Sequence, residues 1–286
     1  MQENFAKLDQ GHLETLRKEG ILILPDFISS KTIDLIKKET SPWLEKIGFN
    51  NRISSLVINS NQWIEHVGIC SMTALKLALD EKFIVFLESY FENQVSLGSF
   101  SLQRKIFAEK GIRLHSDNGE GLAVFLYLTD ISAKTGATEF VKKSHNLKIE
   151  DSYLLDNKIE DAIYIDIEKS PFKSIPLEKS AGKRGTLVIF HRGIWHKLPE
   201  FKKSGREIIM LDYFEKGYPS KDHLVKSSFL NNLSKKQKEV YLGNASISSS
   251  PSLVELGNTK RDLGVYQIPL WKMLAYFIKY KLFSKV

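Results

Sequence analysis

The stretch RLHSDNGEGLAVFLYLTD, residues Arg113 to Asp130, joins a polar segment to a short, continuous apolar run. The run LAVFLYL is consistent with a strand that is buried on both faces. His115 and Asp117 lie two residues apart just before it, and side chains two apart on an extended chain point to the same side. An imidazole and a carboxylate therefore project together beside a buried strand, either as a metal-binding edge or as part of a polar loop.

Further strand patterns surround this stretch and decide the fold class. They are QVSLGSFSLQRKIF (94–107), GATEFVKKSH (136–145), RGTLVIF (184–190) and REIIMLDYFEKG (206–217). Short strands at this spacing, with glycine turns between them, favour an all-β sandwich or barrel. Residues 1–92 are predicted to be largely helical, and Ser71 is a plausible N-cap for a helix or helix pair over 71–92. The sequence thus predicts a mainly β protein of the α+β class, with N-terminal helices packed against a β core.

The chain divides by composition at about residue 216. Residues 1–216 contain the predicted helical part, 1–92, and the β core, 93–216. Residues 217–286 are predicted to form a C-terminal extension that turns rich in lysine and then in serine. The polar segment 150–180 lies between core strands, where a long insertion is often a lid or a substrate loop.

The C-terminal segment 268–286, IPLWKMLAYFIKYKLFSKV, is predicted to be a basic amphipathic helix that begins near Pro269. One interpretation docks this helix on the core. The other lays it on an anionic membrane or against a partner. Because no apolar run reaches about 18 residues, a membrane-spanning helix is not expected. The localisation expected from the sequence is cytoplasmic, with peripheral contact at the inner face of the membrane as the second alternative.

The overall charge restricts the partners of the protein only weakly. The formal net charge is +7, and the lysines that supply most of the positive charge are scattered along the 286 residues. Scattered lysine usually marks a solvated face, and otherwise an anionic substrate or surface. No nucleic-acid motif is present. The single cysteine, Cys70, excludes a disulfide within the chain and a zinc site built on several cysteines.

A second pattern, far along the chain, raises the significance of His115-x-Asp117. The strand GTLVIF leads into His191 and His196, and Arg206 opens the strand after that. Two histidines and one carboxylate on one face of an ion form the facial triad of non-haem Fe(II) oxygenases, which leaves positions open for a bidentate co-substrate and O2. An arginine can hold the far carboxylate of a dicarboxylate in a two-point contact.

The blocks that carry these residues resemble the phytanoyl-CoA dioxygenase (PhyH) family. The resemblance rests on LHSDNGEGLAVFLYLTDISAKTGATEFVKKSHN (114–146) and GKRGTLVIFHRGIWHKLPEFKKSGREIIMLDY (182–213), and extends to EGILILPDFISSKTIDLIKKE (19–39). It covers about residues 10–215. It implies a double-stranded β-helix, that is, a jelly-roll or cupin-like core, which binds Fe(II) and uses 2-oxoglutarate and O2. Residues 1–216 would then be the dioxygenase domain.

The resemblance also implies roles for particular residues. The metal ligands, which are also the catalytic residues, would be His115, Asp117 and His196, whereas His191 falls on a position that does not bind metal. The residues that bind the co-substrate would be Arg206, Gln103 and Lys105, of which the last two transfer more loosely.

Two positions depart from the family pattern. The family often has a serine two residues after the distal histidine, where this chain has Leu198, and the family's PGSH is KKSH here. Asp117 is retained, and a carboxylate at that position leaves no vacant site for a halide, which favours hydroxylation over halogenation.

The function expected from the sequence is hydroxylation, or a related oxidation, of an unactivated C–H bond of a small molecule. The surplus lysine and the C-terminal segment favour an anionic or lipid-linked substrate. The alternatives are an inactive β-barrel that binds a ligand or partner, and a different metal-dependent cupin-like enzyme.

Overall fold

The computed structural model describes residues 3–45, 54–57, 61–64, 66–105, 111–117, 119–147, 149, 154, 162–201, 205–217, 225 and 227–242. The segment predicted to be a basic C-terminal helix, 268–286, lies outside these residues. Each helix within the described ranges is too short or too polar to cross a membrane.

The structure contains six α-helices and twelve strands among the described residues. The helices are α1 (Gln10–Glu19), α2 (Ser30–Glu45), α3 (Met72–Ala78), α4 (Glu81–Phe91), α5 (Ser227–Leu230) and α6 (Lys235–Leu242). The strands are β1 (Ile21–Leu24), β2 (Ser54–Val57), β3 (Asn61–Ile64), β4 (Val95–Lys105), β5 (Ile112–Asp117), β6 (Leu122–Tyr127), β7 (Glu139–Phe140), β8 (Ala162–Tyr164), β9 (Glu178–Lys179), β10 (Leu187–His191), β11 (His196–Leu198) and β12 (Glu207–Glu215).

The strands form two sheets whose strand pairs are antiparallel. The larger sheet has the order β1-β10-β6-β12-β4-β3-β2, and the smaller one has the order β8-β5-β11-β7-β9. Consecutive strands from β4 to β7 alternate between the two sheets, as do β9 to β12, which is the winding of a double-stranded β-helix. The predicted fold class, a jelly-roll core with N-terminal helices packed against it, is confirmed.

The larger sheet is buried on both faces. Alternate residues of its central strands, such as Leu102, Val124 and Leu211, pack with the N-terminal helices in the main core. The residues between them, such as Ala123, Val188 and Ile208, form a second core inside the barrel. Apolar and polar residues alternate along β4, which is typical of a half-buried strand, but both of its faces are covered. Its polar residues Gln103 and Lys105 are therefore enclosed in the barrel.

The N-terminal helices begin where the sequence offers caps. The Ser71 side chain accepts a hydrogen bond from the Ala74 N–H at the start of α3, and Asp80 caps α4 in the same way. The predicted helical segment over 71–92 is therefore a helix pair, broken at residues 79–80. The hairpin β2–β3 extends the larger sheet beside β4 and was not predicted, because four-residue strands are too short to show a clear alternation.

The insertion before β9 covers the outer face of the smaller sheet. Ile165 and Phe172 pack there against Leu114 and Trp195, and β8 pairs with β5 at the sheet edge. Beyond residue 216, Leu233 and Val240 are buried in the main core together with the N-terminal helices. A domain boundary at residue 216 stays a prediction, and the described part of the extension shares a core with the first 216 residues.

Candidate metal centre

One row of side chains crosses the inner face of the smaller sheet and contains both histidines of interest. His115 on β5 is the direct cross-strand partner of Tyr164 on β8 and of His196 on β11. His196 in turn is opposite Phe140 on β7. Because directly opposite residues project from the same face of an antiparallel sheet, this register places four rings side by side.

Asp117 completes a cluster with the two histidines. The ligand atoms that His115, Asp117 and His196 offer all lie within 4.8 Å of one another. The Nε2 atom of His115 is 3.9 Å from Asp117 Oδ1, and the Nε2 atom of His196 is 4.0 Å from Asp117 Oδ2. The two-residue spacing of a strand places Asp117 on the same side as His115. Distances of this size leave room for one ion between the three groups.

Backbone carbonyls orient both imidazole rings. The Nδ1 atom of His115 is 2.8 Å from the Arg113 carbonyl oxygen, and the Nδ1 atom of His196 is 2.9 Å from the Ile194 carbonyl oxygen. A carbonyl oxygen only accepts, so each Nδ1 carries the proton and donates it. The Nε2 atoms, which face Asp117, then carry the lone pairs that a metal needs.

Burial keeps one of these rings uncharged. Desolvation first, and the adjacent His196 second, lower the pKa of His115 to about 4. A neutral imidazole is the form that ligates metal, so His115 needs no deprotonation near neutral pH. Asp117 is the most exposed of the three residues, with a side chain that is 27% accessible.

The residues predicted to hold the co-substrate lie together inside the barrel, where β4 pairs with the start of β12. Arg206 donates from Nη1 to Gln103 Oε1 at 2.7 Å and from Nη2 to Thr138 Oγ1 at 3.3 Å. Its guanidinium carbon lies 5.9 Å from the centroid of the Phe125 ring. Lys105 is buried, and its backbone N–H donates to the Arg206 carbonyl at 2.8 Å. The structure thus brings Arg206, Gln103 and Lys105 together.

His191 lies away from this cluster. It ends β10 with its side chain on the helix side of the larger sheet, and its ring centroid is 5.2 Å from that of His145. Its Nδ1 atom accepts a hydrogen bond from the Gly193 N–H at 3.0 Å. Of the two histidines after GTLVIF, only His196 reaches the inner row.

Two residues near the site were missed from the sequence. The Tyr164 ring stacks on His115 with centroids 5.2 Å apart, and Thr138 bonds Arg206. Thr138 lies in the segment GATEFVKKSH (136–145), directly before a strand, and this position is the one feature of the sequence that could have indicated it. Tyr164 comes from the irregular insertion, and no local pattern marks it as a neighbour of His115.

The match to a family model follows the same part of the chain. Residues 105–198 match the model of phytanoyl-CoA dioxygenase (PhyH). The segment that holds His115, Asp117 and His196 is of the PhyH type. The resemblance stated from the sequence is therefore confirmed over about a third of the chain. The matched PhyH segment ends before Arg206, and Gln103 lies just outside its start.

Solved structures with a similar fold include two proteins named as alpha ketoglutarate dependent, SnoN and SnoK, and one with 2-oxoglutarate bound, HygX. The epimerase SnoN, in complex with Fe3+, alpha ketoglutarate and nogalamycin RO, is 16% identical over 72% of this chain and 83% of SnoN, with a TM-score of 0.58. The carbocyclase SnoK from nogalamycin biosynthesis is 16% identical over 82% of this chain and 94% of SnoK, with a TM-score of 0.59.

HygX from Streptomyces hygroscopicus, with nickel and 2-oxoglutarate bound, is 14% identical over 76% of this chain and 91% of HygX, with a TM-score of 0.56. At these identities the likeness concerns the fold. No curated protein matches the chain.

Proposed function

We propose that this protein is an Fe(II)- and 2-oxoglutarate-dependent dioxygenase that hydroxylates an unactivated C–H bond of a small molecule. The observation that carries the proposal is the cluster of two imidazoles and one carboxylate, whose ligand atoms all lie within 4.8 Å of one another. Two nitrogens and one oxygen on one side of an ion suit Fe(II) and leave its other positions open. Bound iron and 2-oxoglutarate would supply oxidation of the C–H bond coupled to decarboxylation of the co-substrate.

The protein's own residues would orient and isolate the reactants. His115, Asp117 and His196 would hold the metal, with the backbone carbonyls of Arg113 and Ile194 fixing the two rings. The stacked ring of Tyr164 would limit rotation of His115. Holding these groups in one geometry before substrate arrives reduces the reorganisation needed during the reaction.

Arg206 would bind the far carboxylate of 2-oxoglutarate, with Gln103 and Lys105 beside it. A guanidinium forms two parallel hydrogen bonds to a carboxylate, and its low exposure strengthens the interaction. Leu198 stands two residues after His196, where the PhyH family often has a serine. In the PhyH family that serine helps to hold the 2-oxoglutarate carboxylate, and we assign this role to Thr138, whose hydroxyl lies 3.3 Å from Arg206 Nη2.

The substrate would be a small molecule that enters from the Asp117 side of the barrel. The surplus of lysine favours an anionic or lipid-linked compound. Peripheral membrane contact through 268–286 belongs to the same proposal. It is tested by deleting that segment and measuring binding to anionic vesicles, where unchanged binding would contradict it.

Metal content tests the choice of ligands without any assay of turnover. Apo protein is incubated with Fe(II) without oxygen, desalted, and analysed for bound iron. His115→Ala should lose iron. His191→Ala is the matched control, because it removes a partly buried histidine outside the cluster, and it should retain iron. The reverse result would refute the assignment.

Co-substrate binding separates the proposed enzyme from its alternatives. Arg206→Lys should weaken 2-oxoglutarate binding to the metal-loaded protein by roughly tenfold or more, since a two-point contact becomes one. Arg104→Lys is the control. Arg104 on β4 pairs with Glu207 on β12, on the face of the larger sheet that points away from Arg206. Succinate formation with Fe(II), 2-oxoglutarate and ascorbate is expected. Iron binding without 2-oxoglutarate binding would favour another metal chemistry. A protein that binds neither iron nor 2-oxoglutarate would instead support the inactive barrel.

A further inference from the structure

A cluster of polar and aromatic side chains lies at the barrel end nearest Asp117. This rim cluster consists of Ser99, Arg192, Asp212 and Phe214. The Arg192 carbonyl accepts a hydrogen bond from the Asp117 N–H at 3.1 Å, and the Arg192 N–H donates to the Gly121 carbonyl at 2.9 Å. The backbone of Arg192 is therefore joined to both ends of the turn between β5 and β6.

The side chains of the rim cluster hold one another in place. Arg192 Nη1 is 2.7 Å from Asp212 Oδ1, and Ser99 Oγ donates to Asp212 Oδ2 at 2.5 Å. The guanidinium carbon of Arg192 lies 5.3 Å from the centroid of the Phe214 ring. An ion pair held by a hydroxyl on one side and an aromatic ring on the other is more restricted than an ordinary surface pair.

The rim cluster faces the interior of the barrel. Met210 lies two residues before Asp212 and packs with the inner core, as does Ala123, the cross-strand partner of Asp212. Side chains two apart on a strand share a face, so Asp212 points inward. Its side chain is nevertheless 23% accessible, and that of Arg192 is 14% accessible.

Among the described residues, the side chain of Asp117 is more accessible than those of the residues around Arg206. Asp117 is accessible, whereas Arg206, Gln103 and Lys105 are at most 7% exposed. A small molecule that reaches the metal centre from solvent would therefore pass along the rim cluster. The inner wall beside the rim cluster includes the apolar side chains of Ala123, Phe125 and Met210. The Arg192–Asp212 ion pair and the Asp117 carboxylate are charged groups that a ligand would meet there.

Two glycines make room for the cluster. The register between β4 and β12 shifts next to Asp212, which leaves Gly98 as the extra residue of a β-bulge. A Cβ at Gly98 would lie 2.2 Å from the Phe214 ring, and one at Gly121 would lie 2.8 Å from it. Bulges next to sites often redirect a side chain, and here the bulge admits the ring on which Arg192 stacks.

We propose that the rim cluster is the substrate-recognition site and that the substrate is a small zwitterion, with its carboxylate towards Arg192 and its ammonium group towards Asp212. This inference rests on the proposed oxygenase function, and it takes a zwitterionic substrate in place of the anionic or lipid-linked one that the lysine surplus favours. A ligand with one charge meets attraction from one member of the pair and repulsion from the other, whereas a ligand with both charges aligns with both members. The apolar wall would receive the uncharged part of the molecule, which carries the C–H bond.

The test uses full-length protein loaded with Ni(II) and 2-oxoglutarate, so that binding is measured without turnover. The probes are the L-amino acids leucine, methionine and phenylalanine. Each is compared with its N-acetyl form, which keeps only the negative charge, and its methyl ester, which keeps only the positive charge. At least one free amino acid should bind, by saturation-transfer NMR, about tenfold or more tightly than both of its blocked forms.

Two single variants give a readout that a purely structural role would not produce. Asp212→Asn should shift the preference towards the N-acetyl form, and Arg192→Gln should shift it towards the methyl ester. Arg184→Gln is the control, because it removes an arginine from another ion pair, with Asp34. Its preference should equal that of the unmodified protein.

The outcomes separate this inference from the proposed function. Metal and 2-oxoglutarate binding are measured on the same samples. If both bind but no free amino acid is preferred, or if the two variants do not shift the preference in opposite directions, the recognition site is refuted and the oxygenase proposal stands. If the protein fails to bind metal and 2-oxoglutarate, the oxygenase proposal fails, and with it the substrate role of the rim cluster.

Discussion

At the scale of single residues, the candidate site depends on contacts around its three polar groups as much as on the groups themselves. Tyr164 stacks on His115 with an interplanar angle of 23°, while the Arg113 carbonyl holds the opposite part of the imidazole. A ring held on two sides has few orientations open to it. Neighbours of this kind often change metal affinity by about ten- to a hundredfold when they are removed.

Replacing Tyr164 by alanine should therefore weaken metal binding. We expect Tyr164→Ala to raise the Kd for Co(II) by about tenfold, because His115 gains rotational freedom. Tyr164→Phe keeps the stacked ring and should bind Co(II) as the unmodified protein does. The measurement is a titration of the apo protein by calorimetry. Equal weakening in both variants would show that the phenol oxygen, and not the ring, is responsible.

His191 makes the stability of the protein depend on pH. Burial first, and His145 second, lower the pKa of His191 from its ordinary value of 6.5 to about 4. Between these values the unfolded chain binds a proton that the folded chain does not, so stability is complete above about pH 6.5 and is lost as the pH falls towards 4. The slope from this group is at most about 1.4 kcal/mol per pH unit.

The variant His191→Asn should make that dependence shallower. Its free energy of unfolding in urea should fall less than that of the unmodified protein between about pH 7 and about pH 5, because one titrating group has been removed. His115, whose pKa is also lowered by burial, will keep part of the slope. Identical slopes in the two proteins would contradict the role given to His191.

At the scale of elements, two neighbouring strands are shaped by one bulge. β4 and β12 pair along nine residues of β12, and the register shifts only between Asp212 and Tyr213. After the shift, Tyr213 lies on the helix side, where its hydroxyl donates to the Ala78 carbonyl at 2.6 Å, and Phe214 lies across Gly98. The bulge thus supports a helix contact on one face and the rim cluster on the other.

Filling the space at the bulge should destabilise the protein. Gly98→Ala would place a methyl group 2.2 Å from the Phe214 ring, and we expect a loss of about 1–3 kcal/mol in the free energy of unfolding. Gly11→Ala is the control and should cause no loss of stability, because its Cβ would have no neighbour nearer than 3.5 Å. Chemical denaturation measures both. A Gly98→Ala protein as stable as the unmodified one would refute the close packing.

At the scale of the whole molecule, the helices and the larger sheet share one core that reaches past residue 216. Leu233 is 6% exposed and belongs to the same cluster as residues of α1, α4 and β4. α6 lies against β4. A shared core favours a single cooperative unfolding transition for 1–216 and the described part of the extension.

Shortening Leu233 should then weaken the whole molecule. We expect Leu233→Ala to cost about 2–5 kcal/mol and to lower one common transition, seen alike by tryptophan fluorescence and circular dichroism. Leu147→Ala removes the same atoms from a side chain that is 52% exposed and should change stability by less than about 0.5 kcal/mol. A separate early transition in Leu233→Ala would instead support an independent extension.

Much of the fold could be predicted, because alternation, apolar runs and helix caps are features of neighbouring residues in the sequence. The strands β4, β6, β10 and β12 lie within the segments where alternation or apolar runs predict them, and Ser71 caps a helix as expected. The hairpin β2–β3 was missed because four-residue strands are too short to show their period. The alternation of apolar and polar residues along β4 is typical of a half-buried strand, and local alternation does not show that a second sheet covers the polar face.

By itself, the sequence determined the projection of His115 and Asp117 to one side, because a two-residue spacing on a strand has only that outcome. It also determined a β core with helices. Only the tertiary structure decided that His196 and not His191 shares the row of His115, and that Tyr164, Thr138 and the rim cluster lie beside the site. These contacts depend on the register between strands that are far apart in the chain. A shift by one residue would turn each side chain to the other face, and local patterns do not specify that register.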